Sequence, residues 1–264
     1  MPTELVLTAP KQIDFRPYEV ELPVDDNEVL VRSIVSGISH GTEMNHYRGT
    51  VPFHERTFDP ELHFFRPVAE QDTPPYPRLI GYENVGEVIE TGRGVTKVKA
   101  GDRVVAWGRH RMTNLVLEDQ IIPLPDQVSP EAGIFTTLAA VALNAVHDAA
   151  IKVGDRVAIF GLGAVGLFTV QLARLSGAGY IYAVDMLPDR RERALTFGAD
   201  EVLNPEEVDV GLAIKQSTQG GVDVAIEASG NYYALQEALR CVHRAGPVVT
   251  LGFYQGGGTP LRLG

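Results

Sequence analysis

The stretch RVAIF-GLGAVG-LFTVQLARLSGAG-YIYAVD, residues 156–185, limits what this chain can fold into more than any other. An apolar run of strand length meets Gly161, Gly163 and Gly166; an apolar segment of helical length follows, and a second apolar run ends on Asp185. Each glycine of this G-x-G-x-x-G spacing has a physical reason. The first permits a tight turn, the second lets backbone approach a pyrophosphate, and the third lets the helix pack closely on the strand. Leu162, Ala164 and Val165 fill the rest of the loop and the first helical turn, where free N–H groups and the positive dipole end favour phosphate. Asp185 lies about 20 residues past the last glycine, where a carboxylate accepts the ribose hydroxyls. A 2′-phosphate would meet like charge there, so the pattern predicts NAD rather than NADP. Arg190 and Arg191 temper that preference, since either is near enough in sequence to reach such a phosphate.

After Gly154 the texture alternates strictly. RVAIF, YIYAVD, EVLN, VDVAIEAS and PVVTLGF read as strands, with helical stretches starting near Ala164, Pro188, Glu206 and Tyr232. Such alternation requires right-handed crossovers and a doubly wound parallel sheet covered on both faces. Ligands of these sheets sit at the C-terminal strand ends, which puts Ala228, Ser229, Leu251 and Gly252 at the cofactor crevice, with ordinary strand-end packing as the alternative. Upstream, Ser129-Pro130 reads as a cap and first-turn proline for a helix through EAGIFTTLAAVALNAVHDAA.

Before about residue 125 the chain is a series of short β-rich runs: ELVLTA, NEVLVRSIVSG, ENVGEVIETG, DRVVAW and LVLEDQIIPL. Pro, Gly and Asp clusters separate them, the pattern of a small barrel. Asn45 to Pro77 carries aromatics, histidines and prolines without periodicity and is expected to be a long functional or partner-facing loop region. The expectation is therefore an α/β chain with a β-barrel domain over 1–128 and a Rossmann domain over 129–264. A six-stranded sheet would need one more strand and helix after PVVTLGF, whereas GGGTPLRLG is loop-like, so the last strand is expected to be missing or supplied from elsewhere.

Composition narrows the partners. The 34 acidic residues against 23 basic give a net charge of -11, a surface that repels phosphate backbones and anionic membranes. With Cys241 alone, neither an internal disulfide nor a multi-cysteine zinc site can form, which suits a reducing compartment. The N-terminal MPTELVLTAPKQ lacks the features of a signal peptide, and the apolar stretches around 132–146 and 157–173 are too short and interrupted to span a membrane. A cytoplasmic protein is expected.

VSGISHGTE, PRLIGYENVGEVIETG, VKAGDRV, VGDRVAIFGLGAVG and FGADEVLNP together resemble the medium-chain dehydrogenase/reductase superfamily of the alcohol dehydrogenase type, over essentially the whole chain. The resemblance implies an N-terminal GroES-like β-barrel catalytic domain, a Rossmann domain, and a small alcohol or carbonyl substrate. It also implies a chain that continues past residue 264 to complete the catalytic domain and a strand that pairs subunits, which leaves a homo-oligomer open. Zinc members hold a catalytic metal through a cysteine, the histidine of a GHE motif and a third ligand; the matching positions here are Ser39, Tyr82 and Thr136, with Glu83 kept. Hydroxyls are poor zinc ligands beside thiolate, imidazole and carboxylate, and the four-cysteine structural zinc lobe is absent, so neither zinc is expected. SHGTE and LGFYQGGGTPLRLG look similar to a zinc-less branch that includes the hydroxyethyl bacteriochlorophyllide dehydrogenases.

Without a metal, the hydroxyl proton must be handled by side chains. Tyr82, a phenol at a ligand position, is the first candidate, with Ser39, His40, Thr42 and Thr136 completing a relay and Glu83 orienting Tyr82 or an arginine; pocket filling by Tyr82 and a buried structural carboxylate at Glu83 are the competing readings. His40, Glu43 and His46 could ligate a metal, with His54 and His63 beyond, but Gly41 and its neighbours argue against a regular helix and surface histidines are commoner. The favoured activity is NAD-dependent interconversion of a secondary alcohol and a ketone. The alternatives are NADPH-dependent reduction of a quinone or enone, and non-catalytic dinucleotide binding.

Overall fold

The computed structural model describes residues 1–20, 25–51, 56–67, 76–254 and 260–261. The chain divides into two compact units, Met1–Thr137 and Leu138–Gly264.

In the first unit, β3 (Glu28–Gly37), β7 (Glu83–Thr91), β8 (Arg103–Ala106), β9 (Thr113–Leu117) and β10 (Ile121–Pro123) form an antiparallel five-stranded sheet in the order β10-β8-β7-β3-β9. Its core is mostly valine: Val29, Val31, Val88, Val104 and Val116 pack together with Ala106 and Ile121. Branched side chains are stiff and fill a pleated surface well, which is why these runs extend rather than coil. A three-stranded sheet of β2 (Gln12–Pro17), β1 (Thr3–Ala9) and β6 (Arg78–Leu79) accompanies it. Strand β2 escapes sequence reading because all six of its residues are exposed, so it carries no alternation. The LVLEDQIIPL run is two strands, β9 and β10, joined by a short 3-10 turn over Glu118–Gln120.

The expected loop region of Asn45–Pro77 is partly regular. Helix α1 (Glu43–Arg48) runs through its start, and β4 (Arg56–Asp59) pairs with β5 (Phe64–Pro67) as a hairpin. Residues 52–55, including His54, and 68–75 lie outside the described residues. Helix α1 also corrects the inference drawn from Gly41: the glycine precedes the helix, and Gly49 at φ 74 ends it in a left-handed cap. Helix α2 (Pro130–Gly133) is capped by Ser129, whose hydroxyl accepts the Ala132 N–H at 3.2 Å, and Gly133 packs against Val85 and Leu124.

In the second unit, β11 (Arg156–Phe160), β12 (Tyr180–Val184), β13 (Glu201–Leu203), β14 (Val224–Glu227) and β15 (Val248–Thr250) form an all-parallel sheet in the order β13-β12-β11-β14-β15. The order reverses at β11, between β12 and β14, the switch point where such sheets bind ligands. Helices α3 (Thr136–Asp148), α4 (Ala164–Leu175), α5 (Pro188–Thr196), α6 (Val210–Thr218) and α7 (Tyr232–Cys241) connect or cover the strands. Two apolar layers result, one around Ile159, Ile181 and Ile226, the other around Phe160, Tyr182 and Ile214. Helix α6 starts at Val210 and not near Glu206. Asn204 first closes a turn through the Glu206 N–H at 3.1 Å, and Asp209 then caps the helix by accepting the Leu212 N–H at 2.9 Å. No helix among the described residues is long and apolar enough to cross a membrane.

Candidate active site

At the switch point of the second unit, Gly161 adopts φ 85, a left-handed conformation that favours glycine, and a Cβ there would lie 2.6 Å from Ser229 Cβ. Gly163 is the N-cap of α4, and the space where its Cβ would stand is open. Gly166 is buried, and a Cβ on it would fall 1.8 Å from the Gly161 carbonyl oxygen, so the first turn of α4 sits directly on the loop. Leu162 is fully buried in the apolar core, while Ala164 and Val165 form the first turn with Ala164 exposed.

Asp185 follows β12. Its Oδ2 accepts the Leu162 N–H at 2.8 Å, its Oδ1 accepts the Leu187 N–H at 2.9 Å, and Arg190 approaches Oδ2 at 3.5 Å. The second arginine, Arg191, instead donates to the carbonyls of Asp185 and Met186, both at 2.7 Å. Gly161, Asp185, Arg190 and Ser229 all line a cavity of about 930 Å³, which Asn231 and Arg240 also border. An open glycine N-cap, a helix N-terminus and a carboxylate at the next strand end are groups that fit a dinucleotide.

Glu227, at the end of β14, is fully buried and ties the remaining strand-end residues together. It accepts N–H bonds from Ser229 at 2.7 Å and Gly230 at 3.1 Å, and hydroxyl bonds from Ser229 and Tyr254. Burial and this carboxylate push the Tyr254 phenol well up. The Glu227 carbonyl accepts the N–H groups of Leu251 and Gly252, and the Ala228 N–H donates to Phe160 O at 2.8 Å. Leu251 packs on the apolar core and Gly252 presses on Gly230, where a Cβ would meet Gly230 N at 2.1 Å. Ser229 therefore faces the cavity, whereas Ala228, Leu251 and Gly252 have strand-end contacts and do not line it.

The second constellation lies in the first unit, where the turn after β3 leads into α1. The Ser39 N–H donates to Glu43 Oε2 at 2.7 Å, and the Thr42 N–H reaches Ser39 Oγ at 3.4 Å. Tyr82, half-buried just before β7, has the hydroxyls of Ser39 and Thr42 near its own, and its ring lies 5.4 Å from that of Trp107. Burial raises the Tyr82 phenol; those two neighbouring hydroxyls pull it back part of the way. Gly81, at φ 117, brings Tyr82 against the β8–β9 connection, because a Cβ there would strike His110 N at 2.5 Å.

Glu83 faces another neighbourhood. It is 4% exposed, its Oε1 has no partner, and a Cβ on Gly37 would lie 2.9 Å from its Oε2. Burial and the nearby Glu43 push its carboxyl up to about 7. The other predicted residues are not joined to Tyr82 by hydrogen bonds. His40 is exposed, and the Thr136 hydroxyl is turned back onto Gly133 O at 2.7 Å.

Sequence reasoning missed His110 and Ser36, and saw Glu43 only as a metal ligand. His110 Nε2 meets Glu43 Oε1 at 2.8 Å and Nδ1 meets Ser36 Oγ at 2.8 Å, with His110 8% and Glu43 2% exposed. Nothing local betrays a pair 67 residues apart; the single hint is the isolated histidine between two arginines in GRHRMTN. The donors in this cluster do not fit zinc. Ser39, Tyr82 and Thr136 offer hydroxyls, the imidazole of His110 is engaged at both nitrogens, and no group of three metal-capable residues forms among the described residues.

Comparison with known proteins agrees with this architecture. Residues 25–150 match the alcohol dehydrogenase GroES-like domain family, and residues 164–264 match the family of zinc-binding dehydrogenases. The D-guloside 3-dehydrogenase of Escherichia coli (strain K12) is 35% identical over 258 residues, covering 95% of this chain and 73% of that protein. Among solved structures, 2R,3R-butanediol dehydrogenase from Bacillus subtilis superposes with a TM-score of 0.80 at 28% identity, covering 98% of this chain and 79% of that one. A zinc-binding dehydrogenase from Sinorhizobium meliloti 1021 bound to NADP gives 0.82 at 27% identity, with the same coverage.

Proposed function

Since this chain belongs to the alcohol dehydrogenase-like superfamily of medium-chain dehydrogenases/reductases and is an oxidoreductase, we propose that it interconverts a secondary alcohol and a ketone using NAD, without zinc. In this reading the first unit is the catalytic domain and the second the cofactor domain. Bound NAD supplies the hydride acceptor. Asp185 carries the choice of dinucleotide: a carboxylate tied to the glycine loop at 2.8 Å presents its negative charge where a 2′-phosphate would have to sit. Arg190 is occupied by that carboxylate, which favours the NAD reading over NADPH-dependent reduction of a quinone or enone.

Tyr82 manages the substrate hydroxyl. Its raised phenol stays protonated at neutral pH, so it can donate to a ketone oxygen or, in oxidation, receive a proton while releasing its own toward Ser39 and Thr42. Hydroxyls where zinc relatives have metal ligands support a metal-free site, and a place in the zinc-less branch with the hydroxyethyl bacteriochlorophyllide dehydrogenases accords with the SHGTE segment.

The test joins three measurements on the purified protein. NADH and NADPH are titrated by fluorescence, turnover is screened over secondary alcohols, ketones and quinones, and metal content is determined. NADH binding, alcohol oxidation and sub-stoichiometric zinc are expected. One zinc per chain would overturn the metal-free site, and binding without any turnover would leave a dinucleotide sensor rather than an enzyme.

A further inference from the structure

At the end of β14 the side chain of Glu227 fastens two strand ends to each other. It is fully buried, and its oxygens accept from neutral donors: the Ser229 N–H at 2.7 Å and the Ser229 hydroxyl on Oε1, the Gly230 N–H at 3.1 Å and the Tyr254 hydroxyl on Oε2. A carboxyl group so deep is tolerable only with those bonds made. The surroundings are shaped to admit it. A Cβ on Gly252 would lie 2.6 Å from Oε2, and Gly230, at φ 70, would carry a Cβ to 2.6 Å from Phe253 O. The loops after β14 and β15 therefore close around this one side chain.

Ser229 is where that arrangement meets the cavity of about 930 Å³, which it borders. It also abuts the glycine loop, since a Cβ on Gly161 would fall 2.6 Å from its own Cβ. The Ser229 hydroxyl donates to Oε1, and its oxygen accepts the Asn231 N–H at 3.1 Å. A serine hydroxyl has one proton to give and two lone pairs. With the proton directed inward and one lone pair engaged, a single acceptor is left for the cavity. Burial and the carboxylate hold the Tyr254 phenol well above its ordinary range, so it stays a donor on Oε2 and leaves Oε1 to Ser229.

We propose that Glu227 is a positioning residue: by drawing the Ser229 proton inward it makes Ser229 Oγ a pure acceptor, so that this position takes a hydroxyl or amine of the bound dinucleotide and turns away its phosphate oxygens. This rests on the dinucleotide reading above. It divides the work at the switch point by hydrogen-bond polarity. Free N–H groups of the α4 N-terminus favour phosphate, and the Ser229 acceptor beside them favours the donors of the sugar or base.

Neutron diffraction of the intact protein with NADH locates the proton directly. A Ser229 deuteron pointing at Glu227, with an O–D or N–D of the ligand aimed at Ser229 Oγ, is expected. Fluorescence titration of NADH gives the energetic side. Ser229→Ala and Glu227→Met, which keeps a long side chain without an acceptor, should each weaken NADH about tenfold, and the double substitution no further. Tyr254→Phe takes a bond from the same carboxyl group but none from Ser229, so it should lower the urea midpoint and leave NADH affinity within about twofold. Should Glu227→Met not fold, the neutron map and Ser229→Ala decide. Wild-type affinity in Ser229→Ala, or an equal loss in Tyr254→Phe, would reduce Glu227 to a fastener of loops. NADH bound beside an outward-pointing Ser229 deuteron overturns the assignment alone, whereas a wild type that binds no NADH removes the dinucleotide reading and the assignment with it.

Discussion

Replacing Asp185 by alanine separates a role the carboxylate has in the protein from the one the proposed function gives it. Within the protein it fixes the glycine loop through Leu162 at 2.8 Å and the turn into α5 through Leu187 at 2.9 Å. With a dinucleotide bound it would also accept the ribose hydroxyls. Two hydrogen bonds to a charged acceptor contribute roughly 1.5 kcal/mol each at the lower end of their range, so NADH should bind about 3 kcal/mol more weakly, on the order of 100-fold. NADPH starts from the opposite position. Unit charges about 5 Å apart at an effective dielectric near 20 repel by roughly 3 kcal/mol, less whatever Arg190 screens at 3.5 Å. Alanine removes that repulsion and frees Arg190 for a phosphate. Loosening of the loop lowers both affinities alike, so the ratio isolates the charge effect. Fluorescence titration of the variant should shift the NADH-to-NADPH affinity ratio by about 100-fold or more toward NADPH. Asp185→Asn, which keeps an acceptor for the Leu162 N–H, should fall between. Equal losses for both dinucleotides would mean that Asp185 only builds the loop.

The glycine loop and the phenol give two further tests. Gly166→Ala sets a methyl 1.8 Å from the Gly161 carbonyl, backbone against backbone, and should cost about 3 kcal/mol in urea unfolding and strip NADH binding; wild-type stability would show that α4 does not rest on the loop. Tyr82→Phe keeps the ring beside Trp107 and removes only the hydroxyl, so kcat should drop about 100-fold with NADH affinity unchanged. Undiminished turnover would reduce Tyr82 to packing.

What the sequence reveals depends on how local each cause is. The glycine loop is written in one run: Gly161, Gly163, Gly166 and Asp185 lie within two strands and a helix, so spacing alone predicts the turn, the helix start and the strand end where they stand. Asp209 shows the same locality at smaller scale. Its cap on α6 is a one-turn event, yet Asn204 closes a competing turn just before it, and a helix start judged by composition lands too early. Strand β2 is hidden for the opposite reason: with every residue exposed, no hydrophobic period marks it.

The Tyr82 site is legible only in part because its second layer depends on tertiary packing. Tyr82 and Ser39 stand out by resemblance, whereas Glu43 and His110, from α1 and the β8–β9 connection, meet only once the sheet has formed. Gly81 and Gly37 are the local traces of that meeting, since each is a place where any side chain would collide, with the His110 backbone in one case and the Glu83 carboxylate in the other. A glycine in a strand or at its edge is therefore a pointer to what crosses over it. The physical difference between the two sites follows. The glycine loop would hold a dinucleotide with backbone N–H groups that any sequence possesses, and needs only glycines to expose them. The Tyr82 site instead has buried ionisable side chains behind it, which are tolerable only if their partners arrive from elsewhere in the fold.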